Sequence, residues 1–135
     1  MPVSLFSVRG HDGAAFFKGN LTVAGIGTTL RQESWSNVNS FFTGWKTLGD
    51  PHPLAGYFKD SLGIVHLRGM VEGGPNPDIF HLPLEYRPGS RSVHMVLTSG
   101  NQIGRIDVLK DGVVRRESGG LGWYSLDGIT FRAEA

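Results

Sequence analysis

His11, His52, His66, His81 and His94 are the side chains in this sequence best able to hold a metal or move a proton. No two of them show the close spacing of a zinc motif such as H-E-x-x-H. His66 and His94 fall inside stretches of strand character, where a histidine at the surface or core edge is the commoner arrangement. A metal, if held, would need histidines from adjacent strands, or one from each of three subunits on an axis. Asp60, Glu72, Asp78 and Glu85 are carboxylates at strand ends or turns and read as surface acids. Sugar hydrolysis would require two of them held across a cleft. There is no G-x-S-x-G elbow, and with no cysteine there is neither a thiol nucleophile nor a disulfide. Gly25-Ile26-Gly27 and Gly119-Gly120-Leu121-Gly122 lack the strand, helix and lysine of a phosphate cradle and read as turns. The expectation is a protein without catalysis, metal or cofactor.

Two further residue classes bear on partners. Arg87, Arg91, Arg105, Arg115 and Arg116 are scattered and balanced by acids, and the net charge is +1, so no nucleic-acid groove is expected. Trp35, Trp45, Trp123, Tyr57, Tyr86 and Tyr124 have two readings. They form a platform on which pyranoses stack, or they anchor a core and an interface.

The elements that would position these residues are strands. Twenty glycines among 135 residues punctuate short apolar runs, as in an all-β chain with many turns. The length allows one compact domain with a short appendage. No apolar run is long enough to span a membrane and no signal peptide is read, so no membrane insertion is expected. The chain is organised around residues 57–88. From Ile64 to Val71, Val65, Leu67 and Val71 share one face with Gly69, and His66 and Arg68 share the other, which predicts a half-buried strand of eight residues. Gly73, Gly74, Pro75 and Pro77 force a turn, after which Ile79, Phe80 and Leu82 resume the apolar run.

Before this unit, a turn at Gly10–Gly13 separates Leu5, Phe6 and Val8 from Phe16 and Phe17, a hairpin signal. Leu21 and Val23 continue a β-prone segment too thin to make a core alone. Residues 32–56 fit a helical stripe, but Asn37, Asn39, Ser40, Thr43 and Gly44 favour extended structure. After the unit, Val93, Met95 and Leu97 alternate with His94 and Val96 in a strand read as covered on both faces. Arg105–Leu109 follows with Ile106 and Val108 inward, Lys110-Asp111-Gly112 turns the chain, and Leu126, Ile129 and Phe131 close the core around Asp127-Gly128. About eight strands are expected after residue 40, at the spacing of a β-sandwich or jelly roll.

Gly44-Trp45, Gly56-Tyr57-Phe58-Lys59-Asp60, Gly63-Ile64-Val65-His66-Leu67-Arg68-Gly69, Ile79-Phe80-His81-Leu82-Pro83, Tyr86-Arg87-Pro88 and Trp123 to Phe131 form a series. That series resembles the distal knob domain of minor tail and fibre proteins of bacteriophages, as in phages of actinobacteria. The resemblance covers residues 44–131. It implies an antiparallel, jelly-roll-like β-sandwich knob over residues 41–135, preceded by a β arm or short stalk over residues 1–40. The assembly it implies is a homotrimer in the virion, attached to other tail or capsid proteins and contacting host glycan. Candidates for the core or trimer contact are Val65, Leu67, Val71, Phe80, Leu82, Trp123, Leu126 and Phe131. Leu5, Phe16, Phe17, Leu21 and Val23 are candidates for stalk and attachment, and Trp123 and Tyr124 for glycan contact. Two other roles stay open, a capsid decoration or head fibre and a carbohydrate-binding module.

Overall fold

The computed structural model describes residues 32–134 in full and, ahead of them, the backbone of four short strands. These are β1 (Phe6–Val8), β2 (Ala15–Phe17), β3 (Leu21–Val23) and β4 (Thr28–Leu30). They pair as two antiparallel hairpins, β1 with β2 and β3 with β4, and neither hairpin belongs to a larger sheet.

The rest is antiparallel β structure in two sheets. A four-stranded sheet has the order β15-β8-β7-β5, built from Thr130–Arg132, Ile64–Arg68, Gly56–Lys59 and Ser36–Asn37. A seven-stranded sheet has the order β10-β13-β12-β11-β14-β9-β6. Its strands are Asp78–His81, Val113–Ser118, Gln102–Val108, Ser92–Thr98, Gly122–Ser125, Met70–Gly73 and Lys46–Thr47. The ten strands after residue 40, β6 to β15, exceed the expected number because short pairings such as β6 carry little apolar signal. Residues 32–56 form β5, β6 and a bridge from Phe41 to Phe80, in keeping with extended structure. Because β5 pairs with β7, the four-stranded sheet includes Ser36 and Asn37.

The run from Ile64 to Val71 corrects the sequence reading. It is two strands in different sheets, β8 and β9, with Gly69 at φ +92° between them. The returning chain does the same in reverse, as β14 leaves the seven-stranded sheet and β15 enters the other. Since β8 pairs with β15 and β9 with β14, a two-stranded ribbon bends from one sheet to the other. The bend is held across the ribbon. Gly69 N donates to Asp127 Oδ1 (2.8 Å), Leu126 N donates to Gly69 O (2.8 Å), and Leu67 N donates to Ile129 O (3.0 Å). Alternation survives the corner because Val65, Leu67 and Val71 all face the same interior.

Both sheets contribute to one core. Val65, Leu67 and Phe131 come from the smaller sheet, and Val71, Ile79, Phe80, Val96, Ile106, Val108, Val114 and Tyr124 from the larger. Trp45, Leu82, Leu126 and Ile129 fill its ends. Trp45 donates its indole N–H to Asn76 O (2.7 Å) and meets Tyr124 edge-on at 6.1 Å. Arg116 lies over both rings and ties down the loop after β9 by donating to Gly74 O (2.8 Å) and Pro75 O (3.0 Å).

Candidate interaction surface

Strands β11 and β12 pair over their whole length, from Ser92 opposite Val108 to Thr98 opposite Gln102. This register fixes two faces. Val96, Thr98, Ile106 and Val108 point inward and are buried. Val93, Met95 and Leu97 point outward beside Ile103, which stands opposite Leu97. Here the expectation that β11 is covered on both faces fails. Val93 is 57% exposed, Met95 77%, Leu97 47% and Ile103 67%. Among the described residues of one chain, no second layer covers this side of the seven-stranded sheet. Leu121, in the loop before β14, adds another exposed apolar side chain.

A charged network borders the row on the β12 side. Asp107 stands opposite Val93 and has no exposed surface, although it lies on the outer face. It is sealed by arginines lying across it. Arg105 donates from Nε to Oδ1 and from a terminal nitrogen to Oδ2 (both 2.8 Å), and Arg91 Nε donates to Oδ2 at 2.6 Å. Arg91 reaches on to Glu117, and Arg115 lies 3.0 Å from Glu117 Oε1 and 3.4 Å from Asp78 Oδ1. On the opposite flank, β9 and β14 bring Glu72 opposite Trp123, and Lys46 Nζ lies 3.1 Å from Glu72 Oε1.

Burial pushes the Asp107 carboxyl upward, but the hydrogen bonds and charges of Arg105 and Arg91 outweigh it and hold the group below its ordinary value. A depressed carboxylate stabilises the fold above the unfolded range, near pH 4, and that contribution fades as pH falls through the folded value. Asp107→Asn is therefore expected to lower stability at pH 7 by about 1–3 kcal/mol. Urea midpoints at pH 7 and pH 2.5 should differ less in the variant than in the wild type. Equal pH dependence in the two proteins would mean that folding leaves the Asp107 carboxyl unshifted.

The outer face of the four-stranded sheet carries a different cluster. Phe58 is stacked on His66 (4.6 Å, 6° between planes) and meets the edge of Trp35 at 4.6 Å, while the Arg68 guanidinium covers Trp35 at 4.5 Å. His66 Nε2 lies 3.0 Å from Asp60 Oδ2. Glu33 anchors the same segment, accepting from Lys59 N (2.7 Å) and from the Tyr86 hydroxyl (2.9 Å). Burial, followed by the bond and charge of Glu33, pushes the Tyr86 hydroxyl up to about 12. Tyr57, edge-on to Tyr86 at 4.9 Å, is raised by burial and by the same carboxylate. The segment ahead of β5 is thus fastened to the four-stranded sheet and to Tyr86 by one acid and one indole.

Of the sequence-predicted residues, Val65, Leu67, Val71, Phe80, Leu82, Leu126 and Phe131 all lie in the core. Trp123 does not. It is half-buried on the outer face, and its neighbour Tyr124 takes the core position with no exposed surface. Tyr124 thereby loses any access to a glycan, since its ring faces Val71 and its hydroxyl donates to Gly120 O (2.6 Å). Leu5 lies outside the described residues, and for Phe16, Phe17, Leu21 and Val23 only the backbone is described.

His11 lies outside the described residues, and the described histidines do not converge. His66 pairs with Asp60, His81 Nε2 lies 2.5 Å from Asp111 O, and His94 Nε2 lies 2.7 Å from Ser92 Oγ. Burial lowers the His94 pKa, with Asp107 opposing, so its ring is neutral at pH 7. Among the described residues no carboxylate bonds that ring, so the serine–histidine pair lacks the orienting acid of a nucleophilic triad. No group of three or more histidines, aspartates or glutamates is placed to hold a metal among the described residues. What sequence reasoning missed is Asp107 with its arginines. The available signal was Arg105-x-Asp107, an opposite-charge pair two apart that strand alternation puts on one face. No protein-family model matches the chain, and no curated protein matches it either.

Proposed function

We propose that this chain is a structural protein of a bacteriophage virion, a jelly-roll-like β-sandwich knob that forms a homotrimer and is mounted on the tail or tail tip by its N-terminal arm. The observation that carries the reading is the division of the strands. Eleven strands make two sheets around one core, whereas β1–β4 form two hairpins outside both. Hairpins with three-residue strands are marginal in water and need something to lie against, whether a neighbouring copy or another virion protein. Glu33 and Trp35 give such an arm a fixed point of departure from the knob. The resemblance of residues 44–131 to phage tail and fibre knobs supplies the setting.

Decoration of the capsid by the same fold is the nearest rival, and contact with host glycan is a role the knob could add through Trp123. Antibody raised against the knob and imaged on purified particles tests the assignment. Label at the tail or its tip is the expected result. Label over the head would replace it with the capsid role, and unlabelled particles would overturn a virion role altogether.

A further inference from the structure

We propose that the outward row Val93, Met95, Leu97 with Ile103 is the seam on which three copies of this chain meet, with Met95 nearest the three-fold axis. The inference rests on the trimeric reading above and names the surface that would build it.

The row follows β11 for about 14 Å and is one to two side chains wide, with Ile103 beside Leu97 its only second column. Its exposed side chains present roughly 400 Å² of apolar surface, the size of the largest and often functional patch on a monomer, yet short of the ~800 Å² per partner of a stable two-body interface. A face-to-face pair sharing only this row would be undersized. Three rows converging on an axis bury the same side chains, and each copy then gains two flank contacts.

Lys46, Arg91, Arg105 and Arg115 on this face are matched by Glu72, Asp78, Asp107 and Glu117 within the chain, so the face has no net charge. It selects neither a basic nor an acidic partner, and identical faces do not repel. The two flanks are unlike each other. On the β12 side Arg105 keeps 47% of its side chain exposed, and on the β14–β9 side stand Trp123 and Glu72, the latter 36% exposed. In a closed ring the first flank of each copy faces the second flank of the next. The β12 flank that carries Arg105 therefore faces the β14–β9 flank of the next copy.

The chain has no cysteine, so a single Met95→Cys substitution is a clean probe of this geometry. Wild-type mass is measured first by light scattering, at micromolar concentration. A monomer there overturns the trimeric reading and the seam with it. If the wild type is trimeric, oxidised Met95→Cys is expected to give a covalent dimer containing about two thirds of the chains, because one thiol in three has no partner within disulfide reach. Leu62→Cys, exposed in a turn of the other sheet, should stay uncrosslinked. Met95→Arg is expected to cut the mass three-fold while the circular dichroism spectrum of the knob is kept. A trimer that persists in Met95→Arg, an absent Met95→Cys crosslink, or complete conversion to dimer would overturn the seam and leave the trimeric reading to another surface.

Discussion

Gly69→Ala is expected to destabilise the fold by about 3–5 kcal/mol, a large fraction of what a domain of this size possesses. Two costs add. Gly69 has φ +92°, where an L side chain is strained, and an alanine Cβ there would lie 2.8 Å from the N and Cα of Ala55 and from the O of Leu54. Those contacts are backbone atoms and cannot swing aside. Gly128 separates the two costs, because it has φ +87° and an added methyl there would meet nothing within 4 Å. Gly128→Ala should lose only about 1 kcal/mol. Thermal melts of the two variants decide the matter, with a fall of roughly 10–20 °C expected for Gly69→Ala. Equal losses would show that the corner is merely strained and is not packed against residues 54–55.

The same corner shows what strand periodicity can and cannot reveal. Alternation from Val65 to Val71 identified the inward face correctly, because both sheets wrap one core and parity carries through the bend. The change of sheet left no mark on that pattern. Its only trace in the sequence is Gly69 itself, standing at an inward position of an otherwise regular apolar row. A glycine there signals a backbone that has to pass close to another, and here that neighbour is Ala55. Ile106 and Val108 on β12 were legible for the same reason as Val65, whereas on β10 the adjacent Ile79 and Phe80 are both buried across a register shift and only their apolar character marked them.

The outer face of the seven-stranded sheet was harder to read. Val93, Met95 and Leu97 are as apolar as core residues, and sequence alone cannot say whether an apolar row packs within its own chain or against another. Asp107 was illegible for a related reason. Its burial depends on Arg91, 16 residues away, folding across the sheet, a tertiary event with no periodic signature. Arg105 supplied a local hint, and the bulge between Arg105 and Ile106 in the pairing with β13 shifts the register beside it. The result is a face that joins a dry row to self-neutralised charge, which a nearly neutral composition does not announce.

Tyr124→Ala should be the costliest side-chain truncation in the chain, and the adjacent Trp123→Ala nearly silent in the isolated knob. Tyr124 is fully buried between Val71 and the glycine-lined space at Gly104 and Gly119. An added Cβ at Gly104 would lie 2.7 Å from its ring, and one at Gly119 would overlap its hydroxyl, so these two glycines exist to admit it. Removing the ring leaves a cavity that rigid strand backbone on both sides cannot close, for an expected loss of about 3–5 kcal/mol. Tyr124→Phe removes only the hydrogen bond to Gly120 O and should cost about 1 kcal/mol. Trp123 faces outward opposite Glu72, and its truncation should stay within about 1 kcal/mol by urea denaturation. The ranking is a test of register, since strand side chains alternate and a slip of one residue in β14 would exchange the two outcomes. The parity of the sequence contains this ranking, although the expectation of glycan contact at Tyr124 runs against it. Leu126 is buried, Tyr124 lies two residues before it, and Trp123 lies three before it on the opposite face. A large loss in Trp123→Ala with Tyr124→Ala tolerated would move the indole into the core and invert the outer face of β14.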